Sequence, residues 1–299
     1  FEITLASFIV LSLGTILMFF GRKHNKNIQK REGYIIVSLG WVMMTVTGML
    51  PFILTNSMID ISSTFFETMS GYTATGATIL SEIESLPSGI LFWRSMTHWI
   101  GGMGIIVLAV AVLPLLGIGG IQLFSAEAPG PNNDKLHPRI TDTAKRLWFI
   151  YVSFTILEAI LLSFAGMSIF DAVNHAMSTM ASGGFSTKNN SLAFWNHLPL
   201  VQYIIILFMF LAGSNFVLSY FALTGKINKV IKDDEFKTFL SLVIIFSLTV
   251  FIIIYTSVDL NNSYFDNSQT FGKLEGSIRH SLFQVLAIIT TTGFVTADY

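Results

Sequence analysis

Three short segments of this sequence pass from an apolar stretch of about twelve residues into small and hydroxylated residues and then glycine. They occupy residues 61–78, 170–187 and 278–296. Aligned on Gly76, Gly184 and Gly293, the segments are 108 and 109 residues apart. Repeats of such constant length are architectural.

Backbone carbonyl oxygens are the ligands that these segments offer. A cation that leaves water for a low-dielectric interior loses on the order of tens of kcal/mol, and rings of carbonyls can replace its hydration shell. A single Thr-Gly is typical of an ordinary turn, whereas three in register predict a pore, since glycine tolerates backbone angles that side chains disfavour. The predicted ion-binding residues are Ala74, Thr75, Gly76, Ser182, Gly183, Gly184, Thr291, Thr292 and Gly293.

Polar residues recur behind this filter. Glu67, His175 and Gln284 each lie nine residues before the aligned glycine, which predicts hydrogen bonds that support the pore helices; direct contact with an ion is the alternative. Arg94 is predicted to brace a pore helix or to reach the membrane interface. Glu158 lies inside an apolar span, where an ionisable group is costly, and it either pairs with a polar neighbour or has a function.

Five or six apolar stretches are long enough to cross a bilayer core of about 30 Å. They fall at about 3–20, 34–54, 95–117, 147–166, 199–224 and 238–258. Thirteen of the seventeen basic residues lie in alternate loops, which are therefore predicted to be cytoplasmic. These basic loops set topology or, alternatively, bind anionic lipid or a partner. The opposite loops are acidic, either as solvated surface or as a funnel for cations.

Composition excludes several classes of protein. The chain is 52% hydrophobic and 12% charged with a net charge of −1, so neither a water-soluble globule nor a nucleic-acid binder is expected. It has no cysteine, which excludes disulfides and thiolate metal sites. It has neither HExxH nor GxSxG, so no enzyme is predicted and no cofactor is expected beyond the transported ion.

Two longer motifs add a family resemblance. The motifs are FWRSMTHWIGGMGIIVLAVAVLPLLG at 92–117 and GIQLFSAEAPGP at 120–131. Together with the three filter segments, they resemble the TrkH/KtrB (Trk/Ktr/HKT) superfamily of potassium-translocating membrane subunits. The resemblance is strongest to the bacterial TrkH branch. The resemblance implies an all-α polytopic membrane protein with tandem helix–pore-helix–helix repeats around a pseudo-fourfold pore, as in potassium channels.

The resemblance also implies a division of the chain. A leading transmembrane helix and basic loop are expected at 1–33, pore repeat one at 34–130, repeat two at 131–236 and an incomplete repeat three at 237–299. Because the chain starts at Phe1 and stops soon after the third glycine, we expect it to be an internal fragment that lacks the end of repeat three and all of repeat four.

The function that the resemblance implies is potassium translocation across the bacterial inner membrane, with the chain as part of the pore-forming subunit of a Trk-type uptake system. A potassium symporter coupled to protons or sodium is the alternative. A sodium-selective member is a third possibility, which Gly76 disfavours because plant relatives of that kind carry serine there. The resemblance further implies a homodimer and a cytoplasmic nucleotide-binding regulatory subunit (TrkA-like).

Overall fold

The computed structural model of the chain describes residues 2–21, 30–116, 139–257 and 272–297. These residues contain helices and no strand, as the predicted all-α class requires. The α-helices are α1 (Glu2–Gly21), α2 (Lys30–Gly48), α3 (Leu50–Leu54), α4 (Ile61–Tyr72), α5 (Ser88–Leu116), α6 (Arg139–Phe164), α7 (Ile169–Met180), α8 (Pro199–Gly213), α9 (Phe216–Leu223), α10 (Ile227–Lys232), α11 (Asp234–Ser257) and α12 (Lys273–Ile289). Short 3₁₀ turns lie at Ile83–Ser85 and Ser191–Trp195.

Two units of the same layout follow α1. In the first, α2 and α3 lead to the short helix α4, and α5 returns. In the second, α6 leads to the short helix α7, and α8 and α9 return. A third unit begins with α11 and α12. The short helices α4, α7 and α12 are the pore helices that the repeated segments predict.

Four helical segments within the described residues are apolar and long enough to span a membrane. They are Ile3–Gly21, Ile35–Leu54, Lys145–Phe164 and Asp234–Ser257. The predicted span at 95–117 coincides with α5 up to Leu116; the helix begins earlier, at Ser88, and residue 117 lies outside the described residues.

The apolar stretch at 199–224 is not one continuous helix, because α8 and α9 are bent by 108° relative to each other at a short break. Ser214 is extended (ψ 157°), and the Asn215 side chain accepts a hydrogen bond of 3.0 Å from the Val217 amide, so a new helix starts there. Asparagine favours this N-cap position because its side chain satisfies an amide that has no partner within the helix.

Side-chain caps also begin two of the pore helices. Asp60 accepts from the Ser63 amide at 2.7 Å, and Ser168 accepts from the Asp171 amide at 3.1 Å. Hydrogen bonds from Ser63 lower the pKa of the exposed Asp60 carboxyl, which therefore remains ionised at the positive end of the α4 dipole. The third pore helix has 17 residues rather than about twelve, because it starts in the polar residues after Gly272.

The second and third units pack into one apolar core. Leu162 of α6, Ile205 of α8, Val243 of α11 and Phe283 of α12 are all buried in it, and so is Phe294, which follows the third glycine. The second and third pore helices thus pack against the spanning helices of their own units. Exposed apolar side chains line the outer faces of α1 and α11, as expected of surfaces that meet lipid.

The cap at the break generates a prediction. We expect Asn215→Ala to destabilise the protein by about 1 kcal/mol, because the Val217 amide loses its acceptor. Asn215→Ser retains a capping oxygen and is expected to stay near wild type. Thermal unfolding of the detergent-solubilised full-length protein measures both, and equal melting temperatures for the alanine variant and the wild type would contradict the capping role.

Candidate functional site

Each pore helix ends in the same unusual backbone. The residue two positions before the aligned glycine has a positive φ although it carries a side chain, and the glycine itself is also left-handed. The values are 52° at Ala74, 53° at Ser182, 58° at Thr291, 73° at Gly76, 78° at Gly184 and 74° at Gly293. A β-branched residue such as Thr291 rarely adopts this conformation, at a cost of about 1–2 kcal/mol.

Hydrogen bonds to the ends of the helices hold this backbone. In the first unit the Ala74 amide donates to Gly71 O and the Thr75 amide to Ser70 O, both at 3.0 Å. The second unit repeats the pattern, with Ser182 bonded to Thr179 O and Gly183 to Ser178 O, each at 2.9 Å. This is the Schellman arrangement. In the third unit the bond to Ala287 O comes instead from the amide of Gly293, at 3.0 Å.

The predicted filter segments lie directly against one another. A Cβ added to Gly76 would lie 1.9 Å from the carbonyl oxygen of Gly183, and one added to Gly184 would lie 1.9 Å from that of Thr292. Neither position has room for a side chain. The first segment therefore adjoins the second, and the second adjoins the third, in the order expected of units arranged around one axis.

A buried ion pair supports the first segment from behind. Arg94 Nε lies 2.7 Å from Glu67 Oε1, and the two residues are 2% and 1% exposed. Glu67 also accepts from the Thr78 hydroxyl at 2.9 Å and from the Ile79 amide at 3.1 Å. The carboxylate on the pore helix thus holds the chain that leaves the filter.

Arg94 also reaches the second unit. Its Nη1 donates to Ser186 O at 3.1 Å, and its guanidinium lies 3.7 Å from the centroid of the Phe185 ring. On the same ring, His98 stacks with a centroid distance of 3.9 Å, and its Nδ1 is 3.1 Å from Ser178 Oγ. Two side chains of α5 therefore fix the residues that follow Gly184.

The second unit uses the equivalent positions in its own support. His175 Nε2 lies 2.9 Å from Ser186 Oγ. This contact corresponds to that of Glu67 with Thr78 in the first unit. In both units the ninth residue before the aligned glycine contacts the second residue after it. The Thr187 hydroxyl donates to Asp171 Oδ1 at 2.6 Å.

The third unit departs from this pattern. Gln284 occupies the equivalent position on α12, but the second residue after Gly293 is Val295, which has no hydroxyl. Within the described part of the chain, the buried Gln284 Oε1 has no hydrogen-bond partner. Support comes from the pair that corresponds to Asp171 and Thr187 in the second unit, because His280 Nδ1 lies 2.8 Å from the Thr296 hydroxyl.

Outer loops join neighbouring units. The Ile83 amide donates to Asn189 Oδ1 at 2.8 Å between the first and second units. Asn196 Nδ2 donates to Thr296 O at 3.1 Å between the second and third. The Gln202 side chain donates a hydrogen bond to Asn196 Oδ1 and accepts one from Arg279 Nη1. Gln202 lies 18 residues after Gly184, just as Arg94 lies 18 residues after Gly76.

Glu158 lies on α6, is fully buried, and has no hydrogen-bond partner for either carboxylate oxygen among the described residues. Its polar neighbour is the Thr179 hydroxyl on the adjacent pore helix, which interacts with the Glu158 carboxylate but makes its 2.8 Å hydrogen bond to His175 O.

The sequence does not predict Phe185, Ser186 or Gln202 as supporting residues. His98, one turn after Arg94, is expected with it to brace a pore helix or to reach the membrane interface, and its ring contacts Ser178 of α7 and Phe185. The repeat contained a signal for two of the first three residues, since Ser186 matches Thr78 and Gln202 matches Arg94 in distance from the aligned glycines. No such signal exists for the stacking of His98 on Phe185, which joins different units.

Comparison with known proteins places this geometry in a family. The model of the TrkH family, described as "Cation transport protein", matches residues 1–299. The chain is 44% identical over 292 residues to the Trk system potassium uptake protein TrkH of Salmonella typhimurium, covering 97% of this chain and 58% of that protein. It is 37% identical over 282 residues to TrkG of Escherichia coli K12, covering 93% and 55%.

A solved structure gives the same result. The crystal structure of the potassium transporter TrkH from Vibrio parahaemolyticus matches with a TM-score of 0.80 at 35% identity, over 99% of this chain and 58% of that one. The predicted fold class, an all-α polytopic membrane protein with pore-helix repeats, is thereby confirmed. The chain spans about 58% of the length of these TrkH proteins.

The buried pair leads to a prediction about stability. Arg94→Gln or Glu67→Gln alone is expected to cost about 3–5 kcal/mol, because each leaves one buried charge without its partner. The double variant is expected to cost less than the sum of the two. Melting temperatures of the full-length protein in detergent complete the double-mutant cycle.

The partly exposed pair Lys188–Glu84, with a separation of 3.7 Å, provides the control. Lys188→Gln is expected to change stability by no more than about 1 kcal/mol. Additive effects of the two buried substitutions would contradict a coupling between Arg94 and Glu67.

Proposed function

The chain belongs to the TrkH family of cation transport proteins, as its sequence motifs predicted. From this membership we propose that the chain forms three sides of a potassium-selective filter. In this proposal, Ala74–Gly76, Ser182–Gly184 and Thr291–Gly293 present their backbone carbonyls to the ion. The observation that carries it is the contact of Gly76 with the Gly183 carbonyl and of Gly184 with the Thr292 carbonyl, in three segments of one backbone conformation.

The ends of the pore helices add to the attraction for a cation. Each helix leads at its C-terminus directly into a filter segment, and that end carries the partial negative charge of the helix dipole. Alternating left-handed residues turn successive carbonyls in a common direction, which lets one segment contribute more than one ligand. The whole site requires a fourth side, which in this proposal other parts of the transporter supply.

Transport in this proposal is passive movement of potassium through the pore subunit of an uptake system. A membrane potential that is negative inside favours entry by about 2.3 kcal/mol per charge per 100 mV. Each segment has one glycine at the aligned position, so fewer carbonyl rings are stacked than in a potassium-channel filter, and weaker discrimination against sodium and rubidium follows. Gly76 favours potassium over the sodium-selective alternative.

The full-length protein has a proposed membrane location and proposed partners. The relatives are uptake proteins of bacteria, and the chain is a multi-pass membrane protein, which supports a place in the bacterial inner membrane. The three basic loops support a cytoplasmic face on which a nucleotide-binding regulatory subunit of the TrkA kind docks. A homodimer of the full-length protein is the proposed assembly.

Substitution of the middle glycine tests the filter. In the full-length protein, expressed in a bacterium that lacks potassium uptake, we expect Gly184→Ser to abolish growth at low potassium or to change the ion preference. A Cβ there would lie 1.9 Å from the Thr292 carbonyl and must displace it. Growth and rubidium or sodium uptake, at matched expression, are the measurements.

Gly225→Ala is the matched control. Gly225 has a similar φ of 76°, but nothing lies within 4 Å of an added Cβ among the described residues, so it reproduces the backbone strain without the displaced carbonyl. Wild-type growth is expected from this variant. Unchanged growth and ion preference in Gly184→Ser would remove this glycine from the filter.

Potassium symport with protons is the second candidate, and Glu158 is the observation that favours it. Its carboxylate is fully buried in α6 and forms no ion pair among the described residues, whereas the carboxylate of Glu67 is paired with Arg94.

The passive pathway and the symporter differ in their response to Glu158→Gln, which keeps the shape and removes the titratable group. For the passive pathway we expect potassium flux into proteoliposomes, at a clamped membrane potential, to be independent of a pH gradient in both wild type and variant. Flux that follows the pH gradient in the wild type and not in Glu158→Gln would establish proton coupling instead.

A further inference from the structure

A cavity lies in the second unit beside the basic residues Lys145 and Arg146, away from the filter. It has a volume of about 340 Å³ and is formed between α6 and α9, with Lys145, Arg146, Phe149, Ile150, Tyr220 and Leu223 in its lining. This volume is within the range of small-molecule sites, about 300–1,000 Å³. The filter and its supports do not use any of these residues.

Two cations form the edge of this cavity. Lys145 and Arg146 are both exposed and stand at the first residues of the span Lys145–Phe164. Arg146 Nη1 donates to the Tyr220 hydroxyl at 2.7 Å, and its guanidinium lies 5.4 Å from the centroid of that ring. The phenol positions the guanidinium without neutralising it. The ion pairs found among the described side chains include neither cation.

The wall beneath these cations is apolar. Phe149 and Leu223 are 68% and 64% exposed, and Ile150 is buried behind them. Phe149 and Ile150 lie on the helical segment Lys145–Phe164, which is apolar and long enough to cross the membrane, so this part of the wall is suited to acyl chains. Basic residues above an apolar wall, on the side where basic loops collect, complement a phosphodiester headgroup with its chains below.

We propose that this cavity binds an anionic phospholipid of the cytoplasmic leaflet. Lys145 and Arg146 bind the headgroup phosphate, Tyr220 orients the guanidinium, and Phe149 and Leu223 contact the first part of an acyl chain. A protein partner is less well matched, because the apolar wall continues into the span. The site is independent of the ion path proposed above.

Native mass spectrometry of the purified full-length protein tests the site. The probes are phosphatidylglycerol, phosphatidylcholine with the same acyl chains, and glycerol 3-phosphate as the free headgroup. We expect retention of phosphatidylglycerol and neither of the others. Lys145→Gln combined with Arg146→Gln is expected to weaken phosphatidylglycerol binding by about tenfold or more, since each basic residue near the surface contributes about fivefold.

Lys229→Gln combined with Lys232→Gln removes the same charge from the neighbouring helix α10, outside the cavity lining, and is expected to leave retention nearly unchanged. Equal losses of phosphatidylglycerol retention in the two double variants would overturn the site, because they would indicate a general attraction of the lipid to the basic surface. Retention of glycerol 3-phosphate would assign it to small anions. Unchanged lipid retention with lowered uptake in the Lys145 and Arg146 variant would assign the cluster to a protein partner and overturn the lipid proposal.

Discussion

The close approach of Gly76 and of Gly184 to a backbone carbonyl of the next unit is the constraint on which the packing of the three segments depends. An added Cβ on Gly76 or Gly184 would come within 1.9 Å of a neighbouring backbone oxygen, so these segments can adjoin only if both positions lack side chains. Their backbone must also be left-handed, and the residues two positions earlier take the same conformation despite their side chains. The surrounding helices and hydrogen bonds have to maintain that strain.

The supports behind the filter explain how the strain persists. A polar side chain on each of the first two pore helices reaches across to a hydroxyl beyond the glycine, and Arg94 extends the support from the first unit into the second. Removal of such a buried charge from its partner is more damaging than loss of an exposed pair, because no water replaces the lost contact. The filter therefore depends on contacts between units as well as within them.

The three units are similar without being equivalent. Val295 takes the place of a hydroxyl, Gln284 is left with an unpaired oxygen among the described residues, and the bond to the end of the third pore helix comes from Gly293. The second unit differs in its return path, where Asn215 starts a new helix after a bend of 108°. A duplicated unit can diverge in this way once each copy faces different neighbours.

The sequence by itself determined the repeat, the apolar stretches and the family, and it predicts the positions of the three filter segments. These depend on spacing and composition, which a chain carries along its length, and glycine at a left-handed position is visible as a residue type. Only the tertiary structure decided which units adjoin, that Arg94 joins two of them, that His98 stacks on Phe185, and that the span at 199–224 is broken. Most of those contacts join residues that are about 30 to more than 90 positions apart, and the break depends on a local capping bond. A polar side chain in a sequence does not reveal which distant partner will form its hydrogen bond once it is buried.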